Sequence, residues 1–312
     1  MSTFNQGKWK WYHVSLDKLA EIDHLMKKHP GCEMWINEVE HRKSNSLRVD
    51  SRVEGGEFIW GSLVYQQDVE SREDYNLFHF YLTRDFFITV DLKLPLLEKS
   101  DFGEVQKQMD HADNAVEGFF ILIGEILNDY LDRIDLFEDR LHGLLWKVKK
   151  QNNLKILERI YDNRHELLIW KNLMIPITEL KLAAEEAFGD SISEGREFKR
   201  TARRLTRGRI VIQEYQQEID TLIDLEEVVS SHRGNEIMKT LTVMTIMFTP
   251  VMAWGALWGM NFKLMPELGW KFGYVLAIGL IVLSTVGLYV YLKMKGWIGD
   301  ILKGKKNNSF FE

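Results

Sequence analysis

The sequence predicts an α+β front domain, a small sheet with helices, followed by a long stalk helix that enters a two-helix transmembrane region. Three observations carry this reading. Of the 312 residues 28% are charged, yet nearly all of that charge lies before about Asn235. After it, Lys239 and Lys263 bracket 23 uncharged residues, about 34 Å of helix, and Lys271 and Lys293 bracket 21 more. Each run is long enough for the roughly 30 Å hydrocarbon core, and soluble helices normally keep a polar face that these lack. Before Asn235, aromatic and β-branched runs give way near Asp101 to apolar residues at helical spacing.

In chain order, a polar amphipathic helix is predicted over 16–28, then strands over 58–65, 77–82 and 86–90, where aromatic and β-branched residues concentrate. Thr83-Arg84-Asp85 is the tight connection between the last two strands. Ile123, Leu127, Tyr130, Ile134, Phe137, Leu141 and Leu144 then recur every three or four residues, with Glu125, Asp129, Asp132 and Asp139 on another face. That acidic stripe reads as a solvated helix face before it reads as a cation site. A second helix is predicted over 154–187, kinked or interrupted by Pro176. Gly189-Asp190 marks a break, and Ser191-Ile-Ser-Glu194 has the S-x-x-E form of a capping box that would start a third, long helix. Its first turns are basic, with Lys199, Arg200, Arg203, Arg204, Arg207 and Arg209, and Ile212, Tyr215, Ile219 and Leu222 follow as an apolar stripe. No aromatic platform or groove-reading motif accompanies the basic run, so pairing with the acidic helices is the reading, and no nucleic-acid partner is expected.

The predicted divisions are a front domain over 1–190, a stalk over 191–239, a first membrane helix over 240–262, an external loop over 263–271, a second membrane helix over 272–292 and a basic tail over 293–312. The N-terminus has no apolar stretch of the signal-peptide kind. The tail carries Lys293, Lys295, Lys303, Lys305 and Lys306 against Lys263 and Lys271 in the loop, which places both termini in the cytoplasm of a multi-pass cell-membrane protein with the lipid bilayer as its solvent. Cys32 is the only cysteine, so an intramolecular disulfide and a cysteine-based zinc site are both excluded. There is no G-x-x-x-x-G-K-[ST] nucleotide loop. His165-Glu166 is no H-E-x-x-H zinc helix because Ile169 stands where the second histidine would be. No nucleophile, base or cofactor motif points to an enzyme, and no resident cofactor is expected.

The first membrane run ends Trp258-Gly259-Met260-Asn261-Phe262, followed by Met265-Pro266-Glu267-Leu268. Here the chain resembles the CorA family of magnesium channels, whose members carry Gly-Met-Asn at the outer end of the first of two C-terminal membrane helices, often with Met-Pro-Glu-Leu after it. The likeness extends through Asn235-Glu236-Ile237-Met238-Lys239 and Pro250. It implies a funnel-shaped homopentamer whose five first membrane helices line a pore. In the family, cytosolic Mg²⁺ held by acids of the front domain and stalk favours closure. The upper stalk here is basic at the corresponding place, and the Asp129 to Asp139 stripe is the alternative location.

The cargo expected is Mg²⁺, with Co²⁺, Ni²⁺ or Zn²⁺ as alternatives. Zinc transporters of this architecture usually have Ile in place of Met260. A non-conducting membrane sensor or scaffold is the rival of another class. Mg²⁺ gives up its water reluctantly, and residues 240–262 contain no Asp, Glu or His to strip it. A ring of Asn261 amides would instead accept hydrogen bonds from the ion's water shell, an outer-sphere site. Gly259 lets the backbone bend there and Met260 packs to fix the bend. Glu267, the only acid of the loop, would attract cations from outside. Asn235, Met238, Thr242, Thr245, Thr249 and Met252 form the stripe expected to line the pore, and Met238 with Leu241 the apolar rings that gate it by dewetting. At 100 mV a divalent ion gains about 4.6 kcal/mol on entering, so the membrane potential suffices as driving force.

Overall fold

The computed structural model describes residues 2–17, 25, 27–93, 102–150, 154–261, 263 and 265–298. The helix expected over 16–28 and most of the basic tail fall largely outside these. The chain divides into two units, Met1–Trp146 with Leu154–Asp220, and Lys147–Asn153 with Thr221–Glu312.

The first unit is built on strands β1 (Ser2–Phe4), β2 (Trp9–Val14), β3 (Ser46–Asp50), β4 (Phe58–Gln67), β5 (Tyr75–Leu82) and β6 (Phe86–Val90). They form one sheet in the order β1-β2-β6-β5-β4-β3, antiparallel throughout except for the parallel pair β2–β6. The three strands read from the sequence are present, and Thr83 closes the β5–β6 connection through its N–H and hydroxyl to the Phe86 carbonyl (2.9 and 2.8 Å). The sheet also contains β1, β2 and β3, which the sequence reading missed.

Both faces of the sheet are covered, which is why β5 buries every residue from Phe78 to Leu82. Tyr12, Val14, Trp60, Tyr81, Ile88 and Val90 pack with Cys32, Trp35 and Val39 of the short helix α1 (Glu33–Val39) and the turn before it. On the opposite face lie Trp9, Trp11, Phe78, Phe80 and Phe87. Phe119 of the long helix α3 (Ala115–Lys150), which follows α2 (Phe102–Met109), packs on Phe80 and Phe87 at centroid distances of 5.2 and 5.3 Å. The seven apolar positions predicted for α3, Ile123 to Leu144, are all buried. Tyr130 ties α3 to the sheet by donating to the Tyr65 carbonyl at 2.8 Å.

Helix α4 (Leu154–Phe188) runs through Pro176 without interruption. A cap close to that form does exist, but at the start of α3: Asn114 Oδ1 accepts from the Glu117 N–H (3.0 Å), while Glu117 Oε2 reaches back one residue further, to the Asp113 N–H (3.3 Å). Ser191 does not cap the long helix. It sits in the four-residue helix α5 (Asp190–Ser193) and donates to the Phe188 carbonyl, and the long helix α6 starts only at Arg196 and ends at Trp258. Glycines set this break. Gly189 has φ +72°, the left-handed end of α4, and a Cβ on Gly195 would lie 2.3 Å from Glu117 Oε1. The expected pairing of basic and acidic helices is present at Arg204 with Glu125 (3.5 Å), whereas Arg196 and Arg200 pair with Glu197 of their own helix. Thr201 joins α6 to α3 through the Phe120 carbonyl at 2.8 Å.

One buried polar pair makes this unit sensitive to acid. Ser62 and His79, on adjacent strands, share a 2.7 Å hydrogen bond, and burial holds the His79 pKa below 6.5 although Asp91 acts in the other direction. The unfolded chain therefore takes up a proton first, so stability is full above about pH 6.5 and falls as the pH drops below it. His29, lowered by burial and by Lys28 and Lys10, has the same sign. The melting temperature should decrease from pH 7 towards pH 5, and the double variant Ser62→Ala/His79→Leu, which removes both partners, should flatten that slope. Parallel slopes in the two proteins would assign the acid sensitivity to other groups.

Candidate functional site

The second unit contains the C-terminal part of α6 and the apolar helix α7 (Gly273–Met294). Both are long and apolar enough to cross a membrane, and almost none of their apolar surface is buried inside the chain, as a soluble core would require. One face of α6 is partly covered: Val243, Ile246, Met247 and Trp254 are half-buried and Pro250 is buried. Trp254 Nε1–H donates to Ser284 Oγ of α7 at 3.3 Å, which ties the two helices together in their apolar region.

The predicted stripe lies largely on uncovered surface. Asn235, Met238, Leu241, Thr245, Thr249 and Met252 are exposed, Met238 to 62% and Leu241 and Met252 to 59% each, and Thr242 is half-buried. Phe248, which follows Met247 and precedes Thr249, is also 61% exposed. The hydroxyls of Thr242, Thr245 and Thr249 donate to the carbonyls of Met238, Leu241 and Thr245 at 2.8, 2.9 and 2.8 Å. Each proton is thereby committed to the helix, and what the threonine oxygen offers outward is lone pairs.

At the end of α6, Gly259 N–H donates to the Gly255 carbonyl at 2.9 Å and Met260 N–H to Leu257 at 3.5 Å. A Cβ on Gly259 would sit 3.0 Å from the Gly255 oxygen, so the close turn favours glycine by space, without a left-handed φ. Asn261 is exposed beyond the last turn, and Met260 is 49% exposed within the chain, so its packing against the bend is not made here. After Met265, Pro-Glu-Leu-Gly forms a 3₁₀ turn, Pro266–Gly269, which leads into α7. The side chain of Glu267 lies outside the described residues. Among the described residues no group of three or more His, Cys, Asp or Glu side chains is placed to hold a metal ion, and that covers the acidic stripe of α3, where Asp129 pairs with Arg133 at 3.0 Å.

Two features went unread in the sequence. Trp254 and Trp258 stack at 5.2 Å near one end of the helix pair, with Trp270 after it and Trp297 at the other end, the positions where membrane interfaces concentrate indole rings. At that other end Gly296, with φ +74°, terminates α7: its N–H reaches the Lys293 carbonyl and that of Trp297 the Leu292 carbonyl, both at 3.0 Å. Lys239 Nζ donates to the Gly296 carbonyl at 3.3 Å, a second tie between the helices. Tryptophans four apart and a glycine just past a helical run are signals for both features.

Comparison with known proteins agrees with this architecture. Residues 6–294 match the family model described as CorA-like Mg²⁺ transporter protein. A magnesium transport protein CorA of Bacillus subtilis (strain 168) is 43% identical over 300 residues, 96% of this chain and 94% of that protein. A cobalt/magnesium transport protein CorA of Thermotoga maritima is 23% identical over 181 residues, 57% of this chain and 52% of its own length. The solved CorA magnesium transporter of Methanocaldococcus jannaschii shares the fold, with a TM-score of 0.65 at 18% identity over 95% of this chain and 94% of that one. The extent of the family match and of the Bacillus alignment, together with the paired apolar helices, settles the membership: the chain belongs to the CorA family.

Proposed function

We propose that this protein is a multi-pass cell-membrane channel that admits Mg²⁺ to the cytosol down the membrane potential, with both termini inside and copies of α6 around a common pore. The relatives' names support the ion, and the observation that carries the mechanism is the Thr242-Thr245-Thr249 stripe. A hydrated cation turns its water protons outward, so a path that does not strip the shell must be lined by acceptors. Threonine oxygens whose protons are spent on the helix meet that requirement, and so does the Asn261 carbonyl at the end of the same helix. Residues 240–262 hold no acid that would bind the ion tightly enough to trap it. A site that reads the water shell separates similar hexahydrates weakly, and passage of Co²⁺ is a second reading favoured by the cobalt/magnesium relative.

Thiol accessibility tests this path. Cys32 is buried and its thiol is pushed up to about 12, so Cys32→Ala supplies a background of low reactivity. In that background Thr245→Cys should react with a small water-soluble thiol reagent under conducting conditions, and Ile246→Cys, on the half-covered face, should not. Equal labelling, or faster labelling at 246, would place the conduction path elsewhere.

A further inference from the structure

We propose that the basic start of α6 is a binding site for a polyphosphate anion. Arg196, Lys199, Arg200, Arg203, Arg204 and Arg207 line one cavity of about 480 Å³, and no acid lines it. They recur at i, i+3, i+4, i+7, i+8 and i+11, a single helix face on which like charges stand within about 5–6 Å and destabilise the helix unless something neutralises them. Glu125 and Glu197 answer Arg204, Arg196 and Arg200, while Lys199, Arg203 and Arg207 have no carboxylate within 4.0 Å among the described residues. The arrangement is built into the packing. A Cβ on Gly124 of α3 would lie 2.7 Å from the Arg204 guanidinium, so this glycine makes the space in which Arg204 rests against α3 at the base of the cluster. Burial, and then Arg200 beside it, lower the Arg204 pKa against the opposing pull of Glu125 and Glu197.

Five guanidinium forks on one face suit a ligand with several tetrahedral, multiply charged groups in a row, which a single carboxylate is not. A second cavity of about 680 Å³ shares Lys199, Arg203 and Arg207 and continues over Ala202, Ile210 and Val211 to α4, where Glu185 is neutralised by Lys181 at 2.8 Å. Polyphosphate can come from an inorganic chain or from the tail of a nucleotide, and this apolar extension distinguishes them, because only a nucleotide has a flat base to lay on it.

The test is calorimetric titration of the full-length protein in detergent, at physiological ionic strength, with tripolyphosphate and with ATP. Both should bind saturably and more weakly as salt rises. Arg203→Gln/Arg207→Gln, which leaves the packed Arg204 in place, should weaken both at least about tenfold, whereas Arg209→Gln, outside both cavities, should leave them unchanged. Tighter binding of ATP that Ile210→Ser abolishes would identify a nucleotide, and equal affinities an inorganic chain. The proposal is overturned if neither anion binds, or if the Arg203/Arg207 variant binds as the parent does. It is equally overturned if that variant changes oligomeric size while the parent takes up no triphosphate, since an acidic surface of a second copy would then occupy the face.

Discussion

Replacing Asn261 by Ala is expected to reduce magnesium flux to the level of protein-free liposomes while the protein still inserts and assembles. The amide lies exposed past the last turn of α6, so a methyl group there costs little stability. In the proposed pore the substitution removes the carbonyl oxygen that each copy would present at the entrance. Mg²⁺ that keeps its water would then meet no acceptor from this position, and the hydrogen bonds its shell makes in bulk solution would go unreplaced there. Asn261→Asp separates the amide's two roles: it keeps acceptors but adds charge, and should retain flux while losing discrimination against other cations. Unchanged Mg²⁺ flux in Asn261→Ala would remove the selectivity ring from the account.

The largest effect on stability is expected at Trp9. It is 1% exposed, stacked on Phe4 at 4.5 Å and on Phe87 at 5.8 Å, and its Nε1–H donates to the Ala112 carbonyl at 3.0 Å. Its ring lies so close to α3 that a Cβ on Gly118 would come within 2.3 Å of it. Trp9→Ala should cost about 3–5 kcal/mol, a drop of roughly 6–20 °C in Tm for a domain of this size, from the lost burial, the cavity left and the lost hydrogen bond, although Asn5 Nδ2 still donates to the Ala112 carbonyl at 3.1 Å. Trp9→Phe should recover most of the packing and none of the hydrogen bond. A shift below about 2 °C for Trp9→Ala would mean that this face of the sheet is not the anchor of α3.

The membrane helices, the α3 periodicity and the three central strands were legible because each rests on a repeating local pattern: an uncharged run, a 3–4 spacing, or a cluster of β-branched and aromatic residues. Strands β1 to β3 were not, for different reasons. The six residues of β2 are rich in aromatics, but one partner is the three-residue β1 just across Asn5–Gly7 and the other is the distant parallel β6, a pairing no local pattern announces. β3 is five residues whose place is set by Gly61, where a side chain would collide with the Ser46 carbonyl. Ser191-x-x-Glu194 misled because a four-residue motif carries no information on whether the next turn continues. The chain is stopped there by Gly195 packing against Glu117, 78 positions earlier in sequence. At the candidate site the threonine stripe is proposed from spacing, and Gly259 and Asn261 from the resemblance of the motif that holds them. The commitment of the threonine protons to their own helix, and the ties from Trp254 to Ser284 and from Lys239 to Gly296, depend on atoms that only a folded backbone brings within reach.

The central claim is conduction of Mg²⁺ under the membrane potential, and reconstitution into liposomes with an imposed potential, inside negative, addresses it most directly. Mg²⁺ uptake should begin when the potential is set, collapse when an ionophore dissipates it, require no nucleotide, and be absent with Asn261→Ala. Co²⁺ should enter at a comparable rate. No Mg²⁺ uptake by intact, correctly assembled protein at any imposed potential would contradict the account and leave a membrane protein of this fold that does not conduct.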